Sequence, residues 1–171
     1  MDAVRRRRHS PLMNGNAGPT AVESVLRPGE VAIELPAQTD AGVYFIGVIR
    51  TPWLSRIDCP KRGCLDGPLC TIVVDDRWRA ALAGLAGLQR IQVLYWMDRA
   101  RRDLVLQSPL HSKVTTGTFA LRSPARPNPI ASSIVALVAI DGMTLQVRGL
   151  DCLDETPLLD LKPDWGASCG A

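Results

Sequence analysis

No apolar run in this sequence is long enough to cross a membrane as a helix, and no two cysteines stand in C-x-x-C spacing. The first absence argues against a helical membrane protein. The second removes the tight paired spacing that zinc sites favour. Aromatic residues make up only 5% of the chain while hydrophobic residues make up 46%, so any core is mostly aliphatic. Histidine occurs twice, at His9 and His111. Charge of one sign is also missing. Arg5, Arg6, Arg7 and Arg8 are four of the 20 basic residues and Asp2 is one of the 17 acidic ones, which leaves 16 of each elsewhere. Nucleic-acid binding therefore needs a local basic patch or the tail rather than bulk charge.

The 171 residues suit one domain with an extension. The start, MDAVRRRRHSPLMNGNAGPT, is basic and then polar. No apolar stretch follows the arginines, so it is not a secretory signal. Residues 1–20 are expected to form a disordered Arg-rich tail. The five cysteines, Cys59, Cys64, Cys70, Cys152 and Cys169, read as reduced cytosolic thiols. The competing reading is a metal site from Cys59, Cys64 and Cys70, with little histidine to help. The expectation is no metal and a cytoplasmic protein.

Residues 21–42 form an N-terminal extension holding a short helix or an extra strand. VYFIGVIR (43–50) is β-branched and closed by Thr51-Pro52, so a strand. Residues 51–70 make a long Pro- and Gly-containing loop, and such loops are often functional. TIVV (71–74) is a short strand. DDRWRAALAGLAGLQR (75–90) has Trp78, Leu82 and Leu85 at i, i+4 and i+7, which predicts a helix capped by Asp75 or Asp76. IQVLYWM and LVLQS are further strands. GTFALR is read as another, and IASSIVALVAI as one that is apolar on both faces. Asp141-Gly142 then marks a hairpin into MTLQVRGL. Turn chemistry is expected around Thr156-Pro157, ahead of LLDL. Strands follow strands without intervening helices. The pattern predicts a mainly β fold: a small single-sheet β-barrel of about six or seven strands with one packed helix. Its domain would span 43–165, with a C-terminal tail at 166–171.

RSPARPNPI (122–130) carries three prolines between apolar runs. Each proline fixes its own φ and holds its predecessor out of the α region. The segment is expected to be a stiff, extended rail whose carbonyls are free to accept hydrogen bonds. Asn128 can brace a turn through its side chain. Arg122 and Arg126 supply donors on either side. Without more, a rigid loop with solvated arginines explains it equally well.

GTFALRSPARPNPI followed by GLDCLDETPLLDLKP resembles the signature pair of the TsaA-like (YaeB, TrmO) family. IGVIRTPW, the Pro60-Lys61-Arg62-Gly63 loop and VLYWMDRARRD occur upstream in the family's order. The likeness covers roughly Phe45 to Pro163. It implies a dimeric β-barrel methyltransferase that binds S-adenosylmethionine near the subunit interface and methylates N6 of threonylcarbamoyladenosine beside the tRNA anticodon. The chain has no G-x-G-x-x-G between a strand and a helix, consistent with a barrel that binds this cofactor through loops. By motif matching the cofactor contacts fall on Lys61, Arg62, Asp98, Arg99, Arg122, Ser132, Leu153, Asp154, Glu155 and Thr156. Asp98 and Asp154 are the candidate bases. Arg101, Arg102, Arg126 and Asn128 are candidates for tracking the RNA, the arginines as phosphate partners.

Several positions depart from the family pattern. Glu155 stands where the final turn usually has glycine, a residue that permits φ > 0. Asp98 stands where histidine is frequent, Ala131 replaces a glycine, and Asp164 replaces an aromatic residue. Some bacterial members carry a further C-terminal domain that helps hold tRNA, and this sequence stops soon after the barrel motifs. Two other readings therefore stand beside tRNA methylation: a methyltransferase acting on a small molecule or another RNA, and a non-catalytic S-adenosylmethionine-binding module.

Overall fold

The computed structural model describes residues 25–110 and 114–166. The expected Arg-rich tail, both histidines, Cys169 and most of the C-terminal tail lie outside the described residues. Among the described residues there are nine strands: β1 (Val31–Ala32), β2 (Gly47–Arg50), β3 (Leu69–Val74), β4 (Arg90–Trp96), β5 (Leu104–Gln107), β6 (Thr116–Gly117), β7 (Ile130–Asp141), β8 (Thr144–Arg148) and β9 (Thr156–Pro163). Six of them close into an antiparallel barrel in the order β2-β3-β8-β7-β4-β9, with β9 pairing back onto β2. The other three form a small sheet, β1-β5-β6. The described part of the N-terminal extension thus supplies a strand, β1, and no helix.

Period-two alternation builds the core. Ile91, Val93 and Tyr95 of β4 point inward, as do Cys70, Ile72 and Val74 of β3 and Leu145 and Val147 of β8. They pack with Ile49, Val135 and Leu158 in one cluster. Gly142 takes φ 57° between Asp141 and Met143, the first connecting position where a II′ hairpin turn favours glycine. β7 is apolar on both faces, yet only the inner face is covered. Ile130, Ile134 and Val138 on its outside are 44%, 48% and 51% exposed.

Three elements differ from the sequence reading. The predicted helix over 75–90 is a 3₁₀ helix at Asp76–Leu82. Gly84 and Gly87 adopt φ 89° and 93°, which ends the helix early. Trp78, Leu82 and Leu85 pack on the core nonetheless. Asp75 occupies the N-cap position without a side-chain capping bond, and Asp76 instead pairs with Arg79. GTFALR is not a continuous strand: β6 ends at Gly117, a 3₁₀ turn spans Thr118–Ala120, and Phe119 is exposed. Thr156-Pro157 is not a turn but the start of β9, where Pro157 lies opposite Val48 and ahead of the pairing with β4, a position that tolerates proline.

Candidate functional site

The final turn, Leu153–Thr156, is fastened to the end of β2. Asp154 N donates to Trp53 O at 2.8 Å and Glu155 N to Ile49 O at 2.9 Å. Thr51 N donates to Asp154 Oδ1 at 3.1 Å, and Thr156 Oγ1 closes the turn on Leu153 O at 2.7 Å. Arg50 Nη1 lies 2.7 Å from Glu155 Oε1 and 3.6 Å from Asp154 Oδ2. Among the described residues Glu155 is the one non-glycine with positive φ, at 66°. The left-handed geometry that a glycine would supply is therefore kept by a residue with a charged side chain. Leu153 and Asp154 are half-buried, Thr156 is buried and Glu155 is exposed.

The loop carrying Lys61 and Arg62 is fixed by close backbone packing. A Cβ at Gly63 would fall 1.7 Å from Gly149 O, so only glycine lets the loop lie against the end of β8. Lys61 and Arg62 are exposed beside this contact. Cys59, two residues earlier, has its thiol raised by burial and by the charge of Asp151. The loop and the β8–β9 connection therefore meet at one end of the barrel.

Arg122 joins Ser132 directly: its Nη2 reaches Ser132 O at 3.4 Å, while Gln92 Nε2 donates to Ser132 Oγ at 2.7 Å. The proline rail is stiff, but its carbonyls are not free. Arg126 donates to Ser123 O at 2.8 Å and also to Leu121 O. Gln107 donates to Ala125 O at 2.7 Å, Arg102 to Pro127 O at 2.6 Å, and Met97 N to Pro129 O at 2.8 Å. Asn128 contributes its backbone carbonyl, which accepts from Ile130 N. Lacking three N–H groups of its own, the segment draws donors from neighbouring side chains to satisfy its carbonyls.

The basic stretch after β4 divides in two. Asp98 and Arg99 are exposed at the strand end. Arg101 grips Asp103 through two hydrogen bonds of 2.8 and 2.7 Å, which hold the Asp103 carboxyl below its ordinary range. Arg102 lies over the Trp96 ring at 5.5 Å. Lys61, Arg62, Arg99 and Arg122 are exposed, whereas Arg101, Arg102 and Arg126 are half-buried.

Sequence reasoning missed Tyr95, Ser133 and Asp151. The Tyr95 hydroxyl donates to Asp151 Oδ1 at 2.6 Å and Ser133 Oγ donates to the same oxygen at 2.7 Å. Burial, then the Asp151 charge, raise the Tyr95 phenol. The one available signal was a tyrosine at an inward position of an alternating strand, where its hydroxyl needs a partner. The alternative zinc reading fails: Cys64 faces Asp66 at the surface, Cys70 is inside the barrel, and among the described residues no group of His, Cys, Asp and Glu is placed to hold a metal. A shallow apolar recess of about 160 Å³ lies between Leu104, Thr118, Phe119 and Pro127. It contains none of the candidate cofactor contacts and falls below the ~300 Å³ of typical small-molecule sites.

The chain matches the family model described as the tRNA-methyltransferase O N-terminal domain over residues 48–167. It is 48% identical over 149 residues to a probable S-adenosyl-L-methionine-binding protein, VirR, of Rhizobium radiobacter, covering 87% of this chain and 85% of that protein. It is 32% identical over 130 residues to the tRNA (adenine(37)-N6)-methyltransferase of Escherichia coli, covering 69% of this chain and 55% of that one. The crystal structure of TrmO from Pseudomonas aeruginosa superimposes with a TM-score of 0.61 at 27% identity, over 78% of this chain and 61% of the other. The chain thus spans little more than half the length of the last two.

Proposed function

The chain belongs to the tRNA-methyltransferase O N-terminal-domain family, and from that premise we propose that it binds S-adenosylmethionine and methylates N6 of threonylcarbamoyladenosine beside the tRNA anticodon. The observation that carries this is convergence. The Lys61–Gly63 loop meets the β8–β9 connection through Gly149, and the final turn of that connection is bolted to β2. Arg122 meets Ser132 on β7.

The donor set fits the cofactor. Arg122, Lys61 and Arg62 supply cationic donors for its carboxylate. The exposed Glu155 carboxylate, with Asp154 beside it, accepts from its ammonium or ribose hydroxyls. Asp98, Arg99, Leu153 and Thr156 complete the lining. When bound, the cofactor supplies a methyl group on a positive sulfonium, a good leaving group. What the protein adds is placement, since an in-line displacement depends on aligned reactants. The target nitrogen's lone pair is delocalised, so a base that takes its proton helps. Asp154 is committed to Thr51 N and Arg50, whereas Asp98 is exposed.

Pairing into a homodimer is part of this reading. It is supported by the uncovered apolar row Ile130, Ile134 and Val138. A tRNA substrate places the protein in the cytoplasm. Among the described residues no helix is long and apolar enough to cross a membrane. A methyl acceptor smaller than tRNA is the second reading, favoured by the commitment of Arg101, Arg102 and Arg126 to intramolecular partners. Mass spectrometry of tRNA nucleosides after incubation with S-adenosylmethionine separates them. Methylated threonylcarbamoyladenosine is expected. Its absence, with a control enzyme active, counts against the tRNA reading and leaves the smaller acceptor or a non-catalytic binding module.

A further inference from the structure

The β8–β9 connection holds a carboxylate that the final turn does not use. Asp151 Oδ1 accepts from both the Tyr95 and the Ser133 hydroxyls, which lie 2.9 Å from each other. Both donors project inward from adjacent strands, with Ser133 opposite Val93 and Tyr95 opposite Ala131. Tyr95 is 2% exposed, so its hydroxyl is held in place by core packing. Two donors on one oxygen fix the carboxylate. Oδ2 has no hydrogen-bond partner among the described residues, and Asp151 keeps part of its surface exposed.

The surroundings are those of the candidate site. Ser133 follows Ser132, whose carbonyl receives Arg122. Cys59, two residues before Lys61, feels the Asp151 charge. Gly149, two residues before Asp151, carries the Gly63 contact. Asp154, three residues on, has Thr51 N on one oxygen and Arg50 near the other. Asp98 has no comparable pair of hydroxyl donors among the described residues.

We propose that Asp151 is the proton acceptor of this site, with Tyr95 and Ser133 as positioning residues that turn Oδ2 outward. The proposal rests on the methyl-transfer reading above and names its base. The acceptor nitrogen's lone pair forms the new bond to the methyl carbon while the carbon–sulfur bond breaks. That bond's electron pair stays on sulfur, which becomes a neutral thioether. The nitrogen's proton passes to Asp151 Oδ2. A base oriented by a third group is the usual arrangement for activating a weak nucleophile. Once the carboxylate is neutral, the 2.9 Å approach gives one hydroxyl the other as an alternative acceptor.

The test uses the full chain, S-adenosylmethionine and tRNA carrying threonylcarbamoyladenosine. Asp151→Asn is expected to bind the cofactor with unchanged Kd by calorimetry and to lose about 100-fold or more in kcat. Asp151→Glu should recover part of that loss. Tyr95→Phe should keep Kd and move the acidic limb of the kcat–pH profile upward, because the charged carboxylate has lost a hydrogen bond. In the wild type, cofactor should shift the Asp151 carboxyl ¹³C resonance, identified by its loss in Asp151→Asn. Full kcat in Asp151→Asn, or an unmoved resonance at saturating cofactor, overturns the proposal. Wild-type protein that binds no cofactor contradicts the methyl-transfer reading itself and takes this proposal with it. Wild-type protein that binds but leaves the tRNA unmethylated contradicts the tRNA reading alone, and the resonance then decides whether Asp151 belongs to the site.

Discussion

Replacing Glu155 by glycine and, separately, by alanine isolates the backbone of the final turn. Its φ of 66° is locked by the hydrogen bonds Asp154 N to Trp53 O, Glu155 N to Ile49 O and Thr156 Oγ1 to Leu153 O, so the turn cannot relax to negative φ. Both variants lose the Arg50 contact equally, and their difference therefore reports on conformation. A non-glycine residue in the left-handed region costs about 1–2 kcal/mol. Glycine gives back about 0.4–1 kcal/mol through its freer unfolded chain. Glu155→Gly should exceed Glu155→Ala in stability by about 1 kcal/mol, roughly 3 °C in Tm for a domain of this size. Urea denaturation with matched m-values measures it. An alanine variant as stable as the glycine variant would refute a strained turn.

Gly63→Ala should raise the Kd for S-adenosylmethionine at least about tenfold, because the Cβ meets backbone at Gly149 and the Lys61–Arg62 loop must shift; an unchanged Kd by calorimetry removes that loop from the site. Asp103 is held below its ordinary 3.8 by Arg101, so its contribution to stability is complete above that value and is lost as pH falls through the depressed one. Asp103→Asn should lower Tm at pH 7 and flatten its acid limb, and an unchanged Tm–pH curve contradicts the pairing. Burial pushes the Cys70 thiol up to about 11 and raises Cys152 as well. Both should resist a thiol reagent at pH 8 until the protein unfolds, and rapid native modification of either, located by peptide mapping, would show that the barrel interior is open.

Strands announced themselves where one face is buried and the other is not. β4 and β8 alternate cleanly, and the Asp141-Gly142 pair marks the β7–β8 hairpin. Trp78, Leu82 and Leu85 carry the spacing of a longer helix, while Gly84 and Gly87 take positive φ values that spacing does not reveal. The rail's prolines conveyed its stiffness, but not that Arg102, Gln107 and Arg126 would occupy its carbonyls, since those donors arrive from distant positions or curl back locally. The motifs named Arg122, Ser132 and the final turn one by one. The meeting of Gly63 with Gly149 and of Tyr95 with Asp151 depends on barrel closure, which joins residues 86 and 56 positions apart and has no local pattern to mark it.

In the proposed site Arg122, the Lys61–Gly63 loop and the final turn hold S-adenosylmethionine. Thermal unfolding of the wild type and of Arg122→Ala, each with cofactor at saturating concentration, tests it directly. At 100 times Kd the ligand should stabilise the wild type by about 2.7 kcal/mol, and Arg122→Ala should lose most of that shift. No shift in the wild type, or a full shift in Arg122→Ala, contradicts that placement of the cofactor.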